Sequence, residues 1–194
     1  MYKNILWGVF VVVVLVGLWI FSAYNSIVTL DQNTQGKWAA VEGQYQRRMD
    51  LIPNLVSVVK GAANFEQTTL IAVVDARAKA TQISVDPSKL SADSIAKYQA
   101  AQGELSSALG RLLAVSENYP ELRATQNFSE LQSQIEGTEN RIAVTRKDFT
   151  DAVQAYNTSI VRFPGTIVAR LFGFSQKAYF TADTGAAQAP KVAL

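Results

Sequence analysis

Apolar and polar positions are arranged in two different ways along this chain. From Ile5 to Ala23 the sequence ILWGVFVVVVLVGLWIFSA carries no charge and a single hydroxyl. At about 1.5 Å per helical residue such a run reaches ~28 Å, close to the ~30 Å hydrocarbon core of a bilayer. Beyond it the apolar positions recur in steps of three and four. Ile27, Leu30, Thr34, Trp38, Val41, Tyr45 and Ile52 share one helix face, and Arg48 stands in the same phase. No Gly-Pro break separates the two patterns, so the apolar run is expected to continue directly into the first helix of a polar-faced domain.

Asp50-Leu-Ile-Pro53 interrupts that face. Asp50 can cap a new helix with Pro53 in its first turn, or one long helix can kink at Pro53. The turn is the favoured expectation. A second pattern then runs through Leu55, Val58, Ala62, Phe65, Thr69, Val73 and Ala76 and fades near Ile83. Val85-Asp-Pro-Ser-Lys89 has the composition of a turn. Ser91 or Asp93 caps a third helix with Tyr98, Ala101, Leu105, Leu109, Leu112 and Val115 on its face, ending at Asn118-Tyr-Pro120. A short link, residues 121–126, leads to the cleanest pattern of all: Phe128, Leu131, Ile135, Thr138, Ile142, Thr145, Phe149, Ala152, Tyr156, Ile160 and Phe163, with Ser129 as its cap.

Four amphipathic helices joined by short links predict an all-α chain. The expected architecture is an N-terminal transmembrane helix continuing into an antiparallel up-and-down four-helix bundle. The expected boundaries are an anchor at 1–23, the bundle at 24–163, an amphipathic segment at 164–180 and a disordered tail at 181–194. The segment after Pro164-Gly165 sets Phe163, Ile167, Leu171, Phe172, Phe174, Tyr179 and Phe180 among Arg162, Arg170 and Lys177. Four antiparallel helices that start at a bilayer also end there. This stretch is therefore expected either to lie in the membrane interface or contact another copy, or to fold back over the base of the bundle. A helix running straight through Pro53 would, on the same count, send the last helix to the far side.

The apolar run exceeds the 7–15 residue core of a secretory signal, and Phe21 stands where a cleavage site needs a small residue. An uncleaved anchor is expected, with Trp7 and Trp19 in the aromatic belts. Lys3 precedes the run and no Lys or Arg follows until Lys37, which places the domain outside the cytoplasm by the positive-inside bias.

Composition narrows the chemistry. The net charge is +2, from 18 basic and 16 acidic residues, without the basic stripe that nucleic-acid binding requires. Cys and His are absent, which removes thiol chemistry, disulfides, imidazole catalysis and the usual transition-metal sites. Glu136 and Glu139 have the i, i+3 spacing of a carboxylate metal site in a bundle, but that design also needs Glu-x-x-His, so a solvated acidic face is the better reading. Gly36-Lys37 lacks the upstream glycine and following hydroxyl of a phosphate loop. No catalytic residue, metal, cofactor or small-molecule substrate is expected. Two polar clusters remain. Glu42, Gln46, Arg47, Arg48 and Asp50 read as ion pairs at the end of the first helix, or as a contact surface for a partner or a second copy. Glu136-Gly-Thr-Glu-Asn-Arg141 sits in the middle of the last helix, where Gly137 is expected to admit a close neighbour.

The same residues carry a family resemblance. Tyr24-Asn-Ser-Ile-Val-Thr-Leu-Asp-Gln-Asn33, Trp38-x-x-Val41 and Gln44-Tyr-Gln-Arg-Arg-Met-Asp-Leu-Ile-Pro-Asn-Leu-Val56 closely resemble the LemA family of bacterial membrane proteins. Ile135-Glu-Gly-Thr-Glu-Asn-Arg-Ile-Ala-Val144, Tyr156-Asn157 and Phe163-Pro164 resemble its C-terminal half, and the likeness covers residues 1–182. It implies an inner-membrane anchor carrying a helical bundle, with no established enzymatic activity and no cofactor. Relatives accompany membrane proteases and TPM-domain proteins, and one branch serves magnetosome formation. A membrane-attached scaffold or interaction module, a homo-oligomer in contact with lipid, is the expectation; an accessory subunit of a membrane protease or transporter is the alternative.

Overall fold

The computed structural model describes residues 2–62 and 65–181. Among these the chain forms six helices and no strand: α1 (Tyr2–Lys60), α2 (Gln67–Gln82), α3 (Ala92–Ser116), α4 (Pro120–Arg123), α5 (Gln126–Val161) and α6 (Gly165–Phe172). They fall into two compact units. One holds α1 as far as Gln44 together with Ile142–Lys177; the other holds Tyr45–Arg141 and the chain from Ala178. Apart from Thr181, the expected tail lies outside the described residues.

In the first unit the three-four stepping of α1 meets that of α5. Ile27, Thr34, Trp38 and Val41 are buried against the side of α5 that carries Phe149, Ala152, Tyr156 and Ile160. The two helices run antiparallel: Ile27 packs with Tyr156 and Ile160, whereas further along α1 Trp38 stacks edge-on against Phe149 at 5.2 Å and Lys37 pairs with Asp148 at 3.0 Å. Thr34 fits this dry face because its Oγ1 donates back to the Leu30 carbonyl at 2.9 Å. Burying an aromatic the size of Trp38 or Phe149 contributes about 1.5–3 kcal/mol or more by area. Beyond α5, Gly165 opens α6 at a point where a Cβ would lie 2.2 Å from the Ser159 carbonyl oxygen, so no other residue fits. Gly173, at φ +78°, closes α6 in the left-handed conformation.

In the second unit α1 continues without interruption through Pro53, and the expected turn at Asp50–Pro53 does not form. A helix-interior proline removes an N–H and orphans the carbonyl four residues earlier. That carbonyl belongs to Met49, and the Nε–H of Arg77, on α2, donates to it at 2.9 Å. The buried face also continues without a break through Arg48, Ile52, Leu55 and Val59, while Pro53 itself is exposed. Asp50 caps nothing; it lies exposed in mid-helix and accepts a hydrogen bond from Gln46 at 2.8 Å. The chain turns instead after Lys60, where Gly61 and Ala62 donate to the carbonyls of Val58 and Val59.

α2 begins only at Gln67, so Leu55 and Val58 of the second expected face belong to α1, Ala62 and Phe65 lie outside both helices, and only Thr69, Val73 and Ala76 are buried on α2 as read. Ser91 caps α3 through Ser94 N–H, and Tyr98, Ala101, Leu105, Leu109 and Leu112 are buried. The link after Asn118 contains a helical turn, α4, with Pro120 at its start and Leu122 buried. α5 begins at Gln126, so Ser129 lies in its first turn and does not cap it. Leu105, Leu109 and Leu112 of α3 share one core with Ile52, Leu55 and Val59 of α1, Leu70, Val73 and Ala76 of α2, and Phe128 and Ile135 of α5.

Candidate functional site

The apolar run forms the start of α1, with its large side chains exposed from Ile5 to Leu18 and again at Phe21. It is long and apolar enough to cross a membrane. Packing begins where the run ends. Trp19, Ile20, Ala23 and Tyr24 lie half-buried against Ile27, Tyr156, Ile160, Val168 and Ala169. The Tyr24 ring sits 4.8 Å from Phe172 and 5.7 Å from Phe174. The helix thus continues through Pro53, yet α6 still lies beside the end of the apolar run. The far-side placement expected for such a helix therefore does not follow.

α6 buries Val168 and Ala169 and turns other apolar side chains outward. Phe163 is 81% exposed and Leu171 67%, with Ile167 and Phe172 beside them and Arg162 and Arg170 exposed on the flanks. Of the residues expected at an interface, Trp7, Arg170, Leu171 and Phe172 are exposed. Trp19 and Phe174 are drawn into the cluster around Tyr24.

The segment after Gly173 has no regular secondary structure, and side chains of the first unit hold it in place. Asn157 acts as a strand would: its Oδ1 accepts from Lys177 N–H at 2.9 Å and its Nδ2 donates to the Lys177 carbonyl at 2.8 Å. The Tyr156 hydroxyl donates to the Ser175 carbonyl at 3.0 Å. Lys177, expected among the surface cations of an amphipathic stretch, is buried instead. Its ammonium pairs with Asp31 at 2.9 Å and lies over the Tyr156 ring at 5.3 Å. Burial, with the Asp31 charge adding to it, pushes the Tyr156 phenol up to about 12.

In the second unit Arg48 is fully buried, which overturns its reading as a helix-end or surface cation. Its Nη1 donates to Ser106 Oγ at 2.5 Å and to Glu139 Oε2 at 2.9 Å. Its Nη2 donates to the Gln102 carbonyl at 3.1 Å and to Gln102 Oε1 at 2.7 Å, and the guanidinium lies 5.1 Å from the centre of the Tyr45 ring. Four of the guanidinium's five N–H donors are thus used at once, and the Nε–H is buried without a partner among the described residues. Glu139, half exposed, is the counter-ion of this arginine. The carboxylate read as part of a solvated acidic face therefore joins two of the sequence runs that carry the resemblance.

The other members of the first polar cluster are dispersed. Arg47 and Asp50 are exposed, and Glu42 is half-buried in the first unit. Burial lifts the Glu42 carboxyl above its ordinary range, and the Trp38 indole beside it works the other way. Gly137 admits no neighbouring helix; a Cβ there would touch nothing but the Arg141 guanidinium, at 3.8 Å. Among the described residues no three potential metal-ligating side chains converge. The buried polar groups hold segments of the chain to one another, and beyond the apolar run most of the exposed large hydrophobic side chains among the described residues lie in or just before α6.

Among the described residues, these features define an all-helical protein with one helix long and apolar enough to cross a membrane. The chain belongs to the LemA family, whose model matches residues 37–194. Two magnetosome proteins of Paramagnetospirillum magneticum, MamQ 1 and MamQ 2, are each 29% identical to it over 81% of this chain and 64% of their own length. Protein LemA of Metamycoplasma hominis is 25% identical over 79% of this chain and 67% of its own. The chain therefore spans less than two thirds of the MamQ proteins it matches.

Proposed function

We propose that this protein is a membrane-anchored helical module that works by binding, to further copies of itself or to a membrane partner, rather than by catalysis. The observation that carries this reading is α1 itself. One uninterrupted helix begins as an exposed apolar run of membrane-spanning length and continues into a packed domain. On this reading α1, α2, α3 and α5 are the four long members of an antiparallel up-and-down bundle. The polar residues that could suggest chemistry, Arg48 and Glu139 above all, are occupied in holding those helices together.

Two exposed stretches of the second unit offer a contact surface. Arg47 and Asp50 lie on the solvent side of α1, and a groove between the end of α1 and α4 is lined by Val58, Gly61, Tyr119, Pro120 and Leu122. A photo-crosslinking residue placed in turn at Arg47 and at Tyr119 should, in intact membranes, give homotypic products or a defined membrane-protein partner. Monomer alone from both positions, and after detergent extraction, would refute the reading. On this reading the domain lies outside the cytoplasm, at the inner membrane, which is supported by Lys3 before the apolar run and the lack of a cation after it until Lys37. With no native cysteine, Asp50→Cys should react with a membrane-impermeant maleimide in cells whose outer membrane has been permeabilised.

A further inference from the structure

The geometry points to a second membrane contact: the outward face formed by Phe163, Ile167 and Leu171, flanked by Arg162 and Arg170, lies in the lipid interface beside the exit of α1. The inference rests on the reading of the apolar run as a membrane span. It begins from an imbalance in exposure. Beyond the run, nine large hydrophobic side chains among the described residues are exposed, and five of them fall between Val161 and Phe172. Ile167 and Leu171 stand four residues apart on one face of α6, and Phe163 is exposed just before the helix begins, so this part of the chain presents apolar side chains where a water-exposed helix would carry polar groups.

What covers this face follows from where it sits. α6 packs on Trp19, Ile20, Ala23 and Tyr24, the last residues of the apolar run and the first beyond it. Along a helix those residues cover about 8 Å, the depth over which an interfacial helix buries its apolar face. The face is thus continuous with a surface that already requires lipid. The two arginines suit the same place: both are exposed, and neither has an ion pair among the described residues, leaving them for the headgroup phosphates. Aromatic and aliphatic residues facing inward with arginines at their edges match an in-plane element rather than a second span, since α6 has only 8 residues. Lys177 and Phe174 take no part in it. The first is committed to Asp31 and the second to the Tyr24 cluster, so the lipid-facing element ends with α6.

The absence of cysteine allows single nitroxide labels on the full-length chain reconstituted at low density in phosphatidylethanolamine–phosphatidylglycerol vesicles. Labels would be placed at Ile167→Cys, Leu171→Cys, Val12→Cys in the run, and Val144→Cys on the exposed side of α5. The expected result is a severalfold preference for collision with oxygen over a water-soluble nickel chelate at 12, 167 and 171, with the reverse at 144. All four positions are exposed, so the labels leave the packed core intact; unchanged helical circular dichroism would check this. Water-like collision at 167 and 171 with a lipid-like signal at 12 would overturn the inference and leave the anchor standing. Water-like collision at 12 as well would overturn the anchor reading itself. Low collision with both reagents at 171, together with label–label broadening, would identify a second copy as the occupant and equally overturn it.

Discussion

At the scale of single residues, the chain is held by a few polar side chains that answer specific backbone or charge deficits. Arg77 supplies the hydrogen that Pro53 withholds from the Met49 carbonyl. Arg77→Met should therefore cost about 1–3 kcal/mol, the penalty for an orphaned buried carbonyl. In a Pro53→Ala background the helix supplies its own donor and most of that cost should disappear, as denaturation in detergent would show. Equal costs in both backgrounds would mean that Arg77 acts through packing alone. For Arg48 the two ends of the pair are unequal. Removing the anion strands a buried cation, whereas removing the cation leaves Glu139 half in water. Glu139→Ala should accordingly lower the denaturation midpoint in detergent, and Arg48→Met should lower it as well, because the buried Gln102 Oε1 then loses its donor. Glu42 has the opposite character, because the folded state holds its proton more tightly than the unfolded chain. The stability it confers is present below the ordinary glutamate range, near pH ~4.3, and is lost as pH rises through the lifted value. Glu42→Gln should flatten that dependence and raise the melting temperature at pH 7 relative to pH 4.

At the scale of elements, the stepping of apolar positions was legible in nearly every helix, because burial of one face imposes it. Arg48 was visible in the phase of the first face, but an arginine there reads as an exception until Ser106, Gln102 and Glu139 come from two other helices to satisfy it. Pro53 misled for the same reason, since the donor that rescues the helix lies on α2. The clasp of Asn157 on Lys177 was illegible because a segment without regular secondary structure has no periodicity to read. Gly137 shows that a glycine in a helix need not mark a close approach. With only Arg141 near it, Gly137→Ala should stabilise α5 by about 0.5–1 kcal/mol through helix propensity. Gly165→Ala is the contrasting case. Its Cβ would collide with the Ser159 carbonyl, and α6 should come away from α1 with a large loss in melting temperature.

At the scale of the whole molecule, the lack of cysteine and histidine directed attention away from catalysis, and the likeness to the LemA family directed it to the membrane. Neither could say where the end of the chain's last long helix would lie. The structure answers through α6, which packs beside Trp19–Tyr24.

The unbroken course of α1 has one more consequence. There is no swivel between the apolar run and the part of the helix that carries Trp38, since both belong to one rod of hydrogen-bonded turns. A span longer or shorter than the local bilayer accommodates by tilting. Here the tilt would be handed on undiminished to the first unit, with α6 clamped beside the fulcrum. Bilayer thickness then becomes an input to how this domain is aimed, and two glycines inserted after Ser26 would be the simplest way to cut the lever.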